Sequence, residues 1–175
     1  MNKQDNLRQA TLYAYMAGII DGEGSIGINR VKPPNPKWNY AYHARIGLGN
    51  TSYKVIKLFS DTFGGAIFSE CVVFKGRKMR PMHRWGKVGS PSTLVVLETL
   101  YPYLLIKKGQ AKIVIDFCKK KQTIGFIRNQ GLPKKQIQWR ERIWLKVKSL
   151  NLIGAAAETN QEDMRKHKVI VRTIQ

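Results

Sequence analysis

The 175-residue chain has a formal net charge of +20, an excess that predicts a polyanionic partner, with nucleic acid as the leading candidate. A hydrophobic fraction of 43% excludes a disordered basic tail, and no apolar run approaches the roughly 20 residues that cross a bilayer, so we expect no membrane partner. The N-terminus lacks the apolar core of a signal peptide, so we expect the chain to stay in the cytoplasm or an organelle interior.

The first predicted helix covers Thr11–Asp21, where apolar residues recur at helical spacing. Ala14, Gly18 and Gly22 stand four residues apart and leave one side of this helix almost bare. We call these three residues the small-residue ridge. A bare ridge lets another helix backbone come close, and in a soluble protein the expected neighbour is an identical helix or a pseudo-repeat. The chain holds a single copy of this segment, so we expect the pair to form by dimerisation.

Two alternating segments follow, Ser25–Val31 and Tyr40–Gly49, and both predict β-strands. Ile26 and Ile28 are expected to face the core from the first strand. On the second strand the core-facing set is Tyr42, Ala44, Ile46 and Leu48. The opposite set is His43, Arg45 and Gly47. We expect this second face to be open to a partner.

The remaining pattern predicts a mixed architecture of class α+β. Two more strands are predicted over Ala66–Phe74 and Lys78–Val88, and helices over Thr51–Phe63, Ser92–Leu104, Gln110–Lys121 and Lys134–Leu150. The order is helix, two strands, helix, two strands, helix, with an extra C-terminal helix. We expect residues 1–125 to form the core and residues 126–175 a helical extension packed on the same domain.

The sequence contains two cysteines, Cys71 and Cys118, which are too few for a disulfide framework or a zinc ribbon. We predict that both are reduced thiols in the core, because free cysteine is among the most often buried residues.

The strongest chemical signal lies at the end of the first helix, where Asp21 and Glu23 occur within Met16-Ala-Gly-Ile-Ile-Asp-Gly-Glu-Gly24. A carboxylate at Asp21 opposes the partial negative charge of the helix C-terminus, and a metal cation would reverse that conflict. Glu23, carbonyl oxygens of the last turn and a divalent ion would then form a site of hard oxygen ligands. The plain alternative is that both acids are solvated caps of a turn.

This segment, with Ser25 and Ile26 after it, resembles the signature motif of the LAGLIDADG homing endonucleases. The departures from the family name are conservative, with Met at 16, Ile at 19, Gly at 22 and Glu at 23. The predicted order of elements also resembles that family up to about residue 120, and no match is claimed beyond about residue 125. The resemblance implies a homodimer with paired motif helices, and a four-stranded antiparallel saddle that binds double-stranded DNA in the major groove.

The resemblance also implies the metal site and the dimer interface. Glu23 of each subunit, with the backbone carbonyl of Gly22, would hold Mg²⁺ against the scissile phosphates. The implied dimer interface consists of Ala14, Ala17, Gly18, Asp21 and Gly22.

Three further residues resemble positions that the family uses near the cleaved phosphate. Asn50 would orient active-site water, although an Asn there could equally cap the next helix. Lys54, a turn later, could face the same pocket or be solvated. Lys107 would stabilise developing charge or tune the nucleophilic water. We favour Lys107 over Lys108, and one of the two could instead cap a helix end.

Strand alternation assigns the side chains that face DNA. The predicted base-reading set is Ser25, Asn29, His43, Arg45, Ser69, Arg80 and Arg84. On the third strand this places Ser69 on the groove side and Phe68 on the core side. Phosphate contacts are expected from Lys32, Lys75, Arg77 and Lys78, at the strand ends. Arg suits the O6 and N7 edge of guanine and Asn suits adenine, while generic phosphate contact is the competing interpretation.

These observations favour an intron-encoded, homodimeric, magnesium-dependent endonuclease that cuts both strands of a long pseudo-palindromic DNA site by phosphodiester hydrolysis. The first alternative is an RNA-splicing maturase on the same scaffold, with intron RNA as a partner. The second is a non-catalytic DNA-binding regulator that keeps the two acids as structural caps.

Overall fold

The computed structural model describes residues 2–34, 39–71, 73–74, 77–78, 80–124 and 132–156. The helices are α1 (Lys3–Glu23), α2 (Tyr53–Phe63), α3 (Ser90–Leu100), α4 (Lys108–Ile124) and α5 (Lys134–Ala156), with a 3₁₀ helix at Tyr101–Tyr103. The strands are β1 (Gly24–Val31), β2 (Ala41–Asn50), β3 (Ala66–Glu70), β4 (Val73–Phe74), β5 (Arg77–Lys78) and β6 (Met82–Val88). The predicted α+β class is confirmed.

The main sheet has four antiparallel strands in the order β1-β2-β6-β3. β4 and β5 form a separate two-stranded ribbon. Ile26 pairs with Ile46 and Leu48 pairs with Trp85, so these four side chains share one side of the sheet, the core side. Each of them is at most 5% exposed. The predicted core faces of β1 and β2 are therefore confirmed.

Helices cover the core side of the sheet because each presents buried apolar residues to it. Met16 and Ile20 of α1 and Leu97 of α3 are 0% exposed. Phe59 of α2 packs on Trp85 with 5.1 Å between the ring centroids. The opposite side of the sheet, the open face, carries Ser25, Gly27, Asn29, His43, Arg45 and Arg84.

Several helix ends differ from the predicted ones, and two of these differences have a local cause. α1 begins at Lys3 rather than Thr11, because the side chain of Asn2 caps it by accepting a backbone N–H of the first turn at 2.9 Å. α3 stops at Leu100, since Pro102 lacks the N–H that would continue the α-helical ladder and the chain tightens into the 3₁₀ helix.

The predicted orientation of the third strand is wrong. The pairing of β3 with β6 puts Ile67 beside Trp85 on the core side. Phe68 therefore lies on the open face and is 63% exposed. Ser69 lies on the core side beside His83, and its hydroxyl is 2.8 Å from the His83 ring. Hydrophobicity alone favoured Phe68 as the buried residue, whereas the register against the larger Trp85 decides which residues turn inward.

Only one of the two predicted core thiols lies in the core. Cys118 of α4 is buried, and burial raises the pKa of its thiol to about 11. Cys71 is exposed, so the prediction is wrong for this residue. It directly follows β3, which is an edge strand of the sheet.

α5 packs against α4 and against β1, the other edge strand of the sheet. Trp139 stacks on Phe117 of α4 with 5.4 Å between centroids. Asn151 donates to the backbone carbonyl of Ile26 at 3.2 Å and so covers an edge group of β1. The rest of the predicted extension, residues 157–175, lies outside the described residues. Within the described ranges, none of the helices combines the length and apolarity of a bilayer span.

We expect Gly65→Ala to lower the free energy of unfolding by about 2 kcal/mol, through backbone strain and a steric clash. Gly65 has a φ of +110°, and an added Cβ would lie 2.9 Å from Nε1 of Trp85. Gly49→Ala is the matched control, because its nearest new contact would be an ordinary 3.5 Å from Met82. Denaturant unfolding compares the two variants, and equal stabilities would contradict the packing at Gly65.

Candidate functional site

The two acids of the motif lie at an abrupt turn from helix to strand. α1 ends at Glu23, and β1 begins at the next residue, Gly24. The N–H of Gly24 donates to the carbonyl of Ile20, and an added Cβ would lie 2.8 Å from the Ile20 backbone. Only glycine permits this close approach, which fixes the point at which Glu23 leaves the helix.

Asp21 is turned into its own protomer and is only 9% exposed. Its carboxylate oxygens accept the backbone N–H groups of Leu105 at 2.7 Å and Lys107 at 2.8 Å. In return, Nζ of Lys107 donates to the carbonyls of Ile20 at 2.9 Å and Asp21 at 2.6 Å. We call these four hydrogen bonds the Asp21–Lys107 clasp. The cation at the end of α1 is therefore the Lys107 ammonium, which complements the helix dipole.

The structure brings Lys107, and not Lys108, to the motif. Lys107 is partly buried, and this burial lowers the pKa of its ammonium, while the nearby Asp21 carboxylate raises it in part. Lys108 is exposed and lies 5.3 Å from the centroid of the Tyr101 ring. These contacts give no support to Lys108 as the lysine near the cleaved phosphate.

Glu23 is exposed and makes a side-chain contact with Asn50 at the end of β2. The Asn50 amide donates to Oε2 of Glu23, and its own Oδ1 accepts the N–H of Ser52 at 2.7 Å, just before α2. The N-cap of α2 is Ser52, so Asn50 does not cap the helix itself but holds the turn that leads into it. Its predicted role in orienting water stays a prediction. Lys54 is exposed in the first turn of α2 and takes no part in these hydrogen bonds within the described residues.

The small-residue ridge lies on the exposed side of α1. Ala14, Gly18 and Gly22 are all exposed, and a Cβ added at Gly18 or Gly22 would meet no atom within 4 Å. Ala17 and Asp21 belong to the buried side of the same helix, so their assignment to the dimer interface is wrong. At about 100° per residue they fall on the flank that packs against the core.

Sequence reasoning missed an apolar surface next to the ridge helix. Leu105 and Ile106 are 84% and 74% exposed, although Asp21 holds the backbone N–H of Leu105 beside α1. The signal in the sequence was an apolar pair directly before Lys107, in a segment too short for an element of its own. Large apolar side chains held in such exposed positions are typical of interaction surfaces.

The open face brings together most of the predicted base-reading residues. Arg45 lies across Gly27, where an added Cβ would be 3.5 Å from Nε of Arg45. Its Nη1 donates to the hydroxyl of Ser25 at 3.3 Å. Arg84 is exposed on the same face and forms an ion pair with Glu70 at 3.4 Å. Asn29 and His43 face each other across β1 and β2.

The predicted phosphate contacts lie around this face or outside the described residues. Lys32 is exposed just after β1. Arg80, which was predicted to read bases, is exposed just before β6 and so lies outside the strand. Arg77 and Lys78 form the short strand β5, of which only the backbone is described. Lys75 lies outside the described residues.

Sequence comparison finds one curated relative of this chain. No protein-family model matches it. The DNA endonuclease I-CvuI of Chlorella vulgaris is 27% identical over 120 residues, which span 66% of this chain and 68% of that protein.

Solved structures share the fold. The homing endonuclease I-CvuI in complex with its target has a TM-score of 0.64 at 22% identity, covering 82% of this chain and 84% of that chain. The meganuclease I-SmaMI bound to DNA has a TM-score of 0.54 at 14% identity, covering 85% of this chain and 45% of that chain.

We expect Asp21→Asn to destabilise the fold by about 2 to 3 kcal/mol, because one amide oxygen must replace two carboxylate oxygens and the amide NH₂ then faces a backbone N–H. Glu23→Gln is the matched control, since this exposed side chain should change stability by about 0.5 kcal/mol or less. Thermal and denaturant unfolding measure both. Equal effects of the two substitutions would contradict a structural role for Asp21.

Proposed function

We propose that the chain is a member of the LAGLIDADG homing endonucleases, whose signature motif it resembles, and that it is a site-specific DNA endonuclease that works as a homodimer with a divalent metal ion. The observation that carries the proposal is the exposed Glu23 carboxylate, presented at the end of a helix whose exposed side is bare. The curated relative is itself named a DNA endonuclease.

The residues at the end of α1 fit a divalent metal. Both oxygens of Asp21 accept backbone N–H groups, so Glu23 is the motif acid that faces outward. Asn50 bonds one oxygen of Glu23, and a hard carboxylate oxygen of this kind suits Mg²⁺. Complexes of I-CvuI with DNA were obtained in the presence of Mg or of Ca, which supports a divalent ion as the metal of this chain. When bound, such an ion would activate water and neutralise charge on the phosphate.

The chain's own residues prepare this site before any metal binds. Asn50 orients the Glu23 carboxylate, because its amide is itself fixed by the N–H of Ser52. Lys107 places a positive charge at the end of α1, where hydrogen bonds to two carbonyls hold its Nζ. A cation fixed in this way can stabilise negative charge that develops on a phosphate close to Glu23.

The small-residue ridge supports the homodimer. Glycine in a helix interior costs up to about 1 kcal/mol relative to alanine, and nothing inside the protomer requires glycine at 18 or 22. A second α1 packed on the ridge would need glycine at these two positions, because it must approach the backbone closely. It would also bring two copies of Glu23 together. Leu105 and Ile106 would add apolar area to the same contact. The structural match covers only 45% of the I-SmaMI chain, so that chain is long enough to contain a second unit of this size.

The open face supports recognition of a DNA duplex. Arg45 and Arg84 carry the planar fork of donors that suits the edge of guanine, and Asn29 suits adenine. Lys32, exposed just after β1, suits a contact with a phosphate. With two copies of the chain, the recognised site would be long and pseudo-palindromic.

Glu23→Gln is expected to reduce cleavage of the target by about 100-fold or more while leaving folding and DNA affinity nearly unchanged, because the amide binds a metal poorly. Cleavage of a plasmid that carries the target is measured with Mg²⁺ and with a chelator. Asp116→Asn, which changes an exposed acid on α4, is the control and should cleave normally. Full activity of the Glu23→Gln variant would contradict a catalytic role for Glu23. Tight metal-independent binding without nicking by the wild type would support the non-catalytic regulator.

Gly18→Ala is expected to stabilise the isolated protomer by up to about 1 kcal/mol and to weaken the dimer, two effects of opposite sign. The alanine methyl meets no atom in the protomer but would separate the two α1 backbones. Gly109→Ala, at another open helical glycine, is the control that should leave dimerisation unchanged. Analytical ultracentrifugation with and without target DNA measures association. A wild-type protein that remains a single protomer on its target DNA would contradict the proposed homodimer.

A further inference from the structure

An aromatic side chain, that of Phe68, lies on the open face at the edge strand β3. The register of β3 against β6 places Phe68 directly opposite Arg84, and its side chain is 63% exposed. The preceding residue, Ile67, points to the other side of the sheet and packs against the core. Phe68 therefore contributes its ring to the surface of the open face and not to the core.

Small residues surround Phe68 on the open face. Gly49 stands beside Arg84 on the strand away from Phe68. The neighbouring row of the same face holds Ala66 opposite Gly86. These residues are too short to cover a phenyl ring, so the side chains of Phe68 and Arg84 project from this part of the sheet. A large apolar side chain held in such an exposed position is typical of a contact surface.

An ion pair holds Arg84 at this place. Its Nη2 lies 3.4 Å from Oε2 of Glu70, which follows Phe68 by two residues on the same side of β3. The remaining N–H groups of the guanidinium can donate to O6 and N7 of a guanine. Residues directly opposite in an antiparallel pair have Cβ atoms about 5 Å apart, and base pairs stack at about 3.4 Å. Phe68 and Arg84 thus suit the same base pair or two adjacent ones.

The chemistry of the major groove determines what a phenyl ring can contact there. Adenine, guanine and cytosine present hydrogen-bonding groups, whereas thymine also presents an apolar group, its C5-methyl. A phenyl ring placed against a polar base edge would remove water from that edge without replacing its hydrogen bonds. The partner chemistry that suits Phe68 is therefore the 5-methyl group of a pyrimidine.

We propose that Phe68 contacts the 5-methyl group of a thymine in the bound duplex, beside the base that Arg84 contacts. The inference rests on the proposed function, since it requires that the open face bind the major groove of DNA. It adds an apolar residue to the predicted base-reading set, from which hydrophobicity had excluded Phe68. It also assigns this residue a selectivity for thymine over cytosine, which no polar residue of the face supplies through a methyl group.

Replacement of single methyl groups in DNA tests this contact. Duplexes of randomised sequence are selected for binding to the wild-type protein, and the tightest duplex is resynthesised with dU in place of one dT at a time. This change removes the methyl group and keeps every hydrogen-bonding group of the base. We expect one position in each half-site at which dU weakens binding about fourfold, as the burial of one methyl group implies. At that position 5-methylcytosine should bind better than cytosine by a similar factor.

Phe68→Ala should remove this dependence, so that the dT and dU duplexes bind alike, and Phe68→Leu should retain part of it. Val95→Ala is the matched control, because it shortens an apolar residue of α3 that is 61% exposed and should leave the dependence unchanged. The ratio of the two affinities is taken within one variant, so a change in the folded fraction cancels. The salt slope should stay the same in all variants, since a methyl contact neutralises no phosphate.

Three results would overturn the inference. The first is equal binding of the dT and dU duplexes by the wild type at every position. The second is an undiminished ratio in Phe68→Ala. The third is a change in self-association of Phe68→Ala without DNA, which would assign the exposed ring of this edge strand to a protein contact. A wild type that selects no duplex from the library would overturn the proposed function together with the inference.

Discussion

The arrangement of the site depends on how the C-terminus of α1 is closed inside one protomer. The Asp21–Lys107 clasp joins this helix end to the segment between the 3₁₀ helix and α4 by two hydrogen bonds in each direction. Each bond involves a charged group and is partly buried, so each contributes about 1.5 to 3 kcal/mol. The clasp therefore fixes α1, the start of β1 and the start of α4 against one another.

The Lys107 ammonium changes the electrostatics at the C-terminus of α1. A carboxylate at the end of a helix opposes the helix dipole, and a bound metal was one way to remove that conflict. The structure removes it with Lys107, which reaches the carbonyls of Ile20 and Asp21. The metal is therefore not required for the helix to end where it does. Asp21 positions the backbone, whereas the Glu23 side chain stays exposed.

Local periodicity in the sequence predicted the core faces of two strands and the end of a helix. It could not predict features that depend on contacts between distant parts of the chain. The core faces of β1 and β2 and the end of α2 at Gly64 follow from alternation and from glycine punctuation. The orientation of β3 depends on its register against Trp85 in β6. The burial of Ala17 depends on what packs on that flank of α1. The motif made Glu23 and Lys107 candidates, but their partners lie far apart in the chain.

Glu23 differs in its partner from four other acids of this strongly basic chain. In the described residues Asp61, Glu70, Glu98 and Glu141 each form an ion pair with Lys or Arg. Glu23 is held by the neutral amide of Asn50, while the Lys107 ammonium donates to the carbonyls of Ile20 and Asp21. A hydrogen bond from a neutral amide orients a carboxylate without placing a cation beside it, as an ion pair does. The clasp and Asn50 together thus leave an exposed and oriented carboxylate at Glu23, which suits the divalent ion of the proposed function.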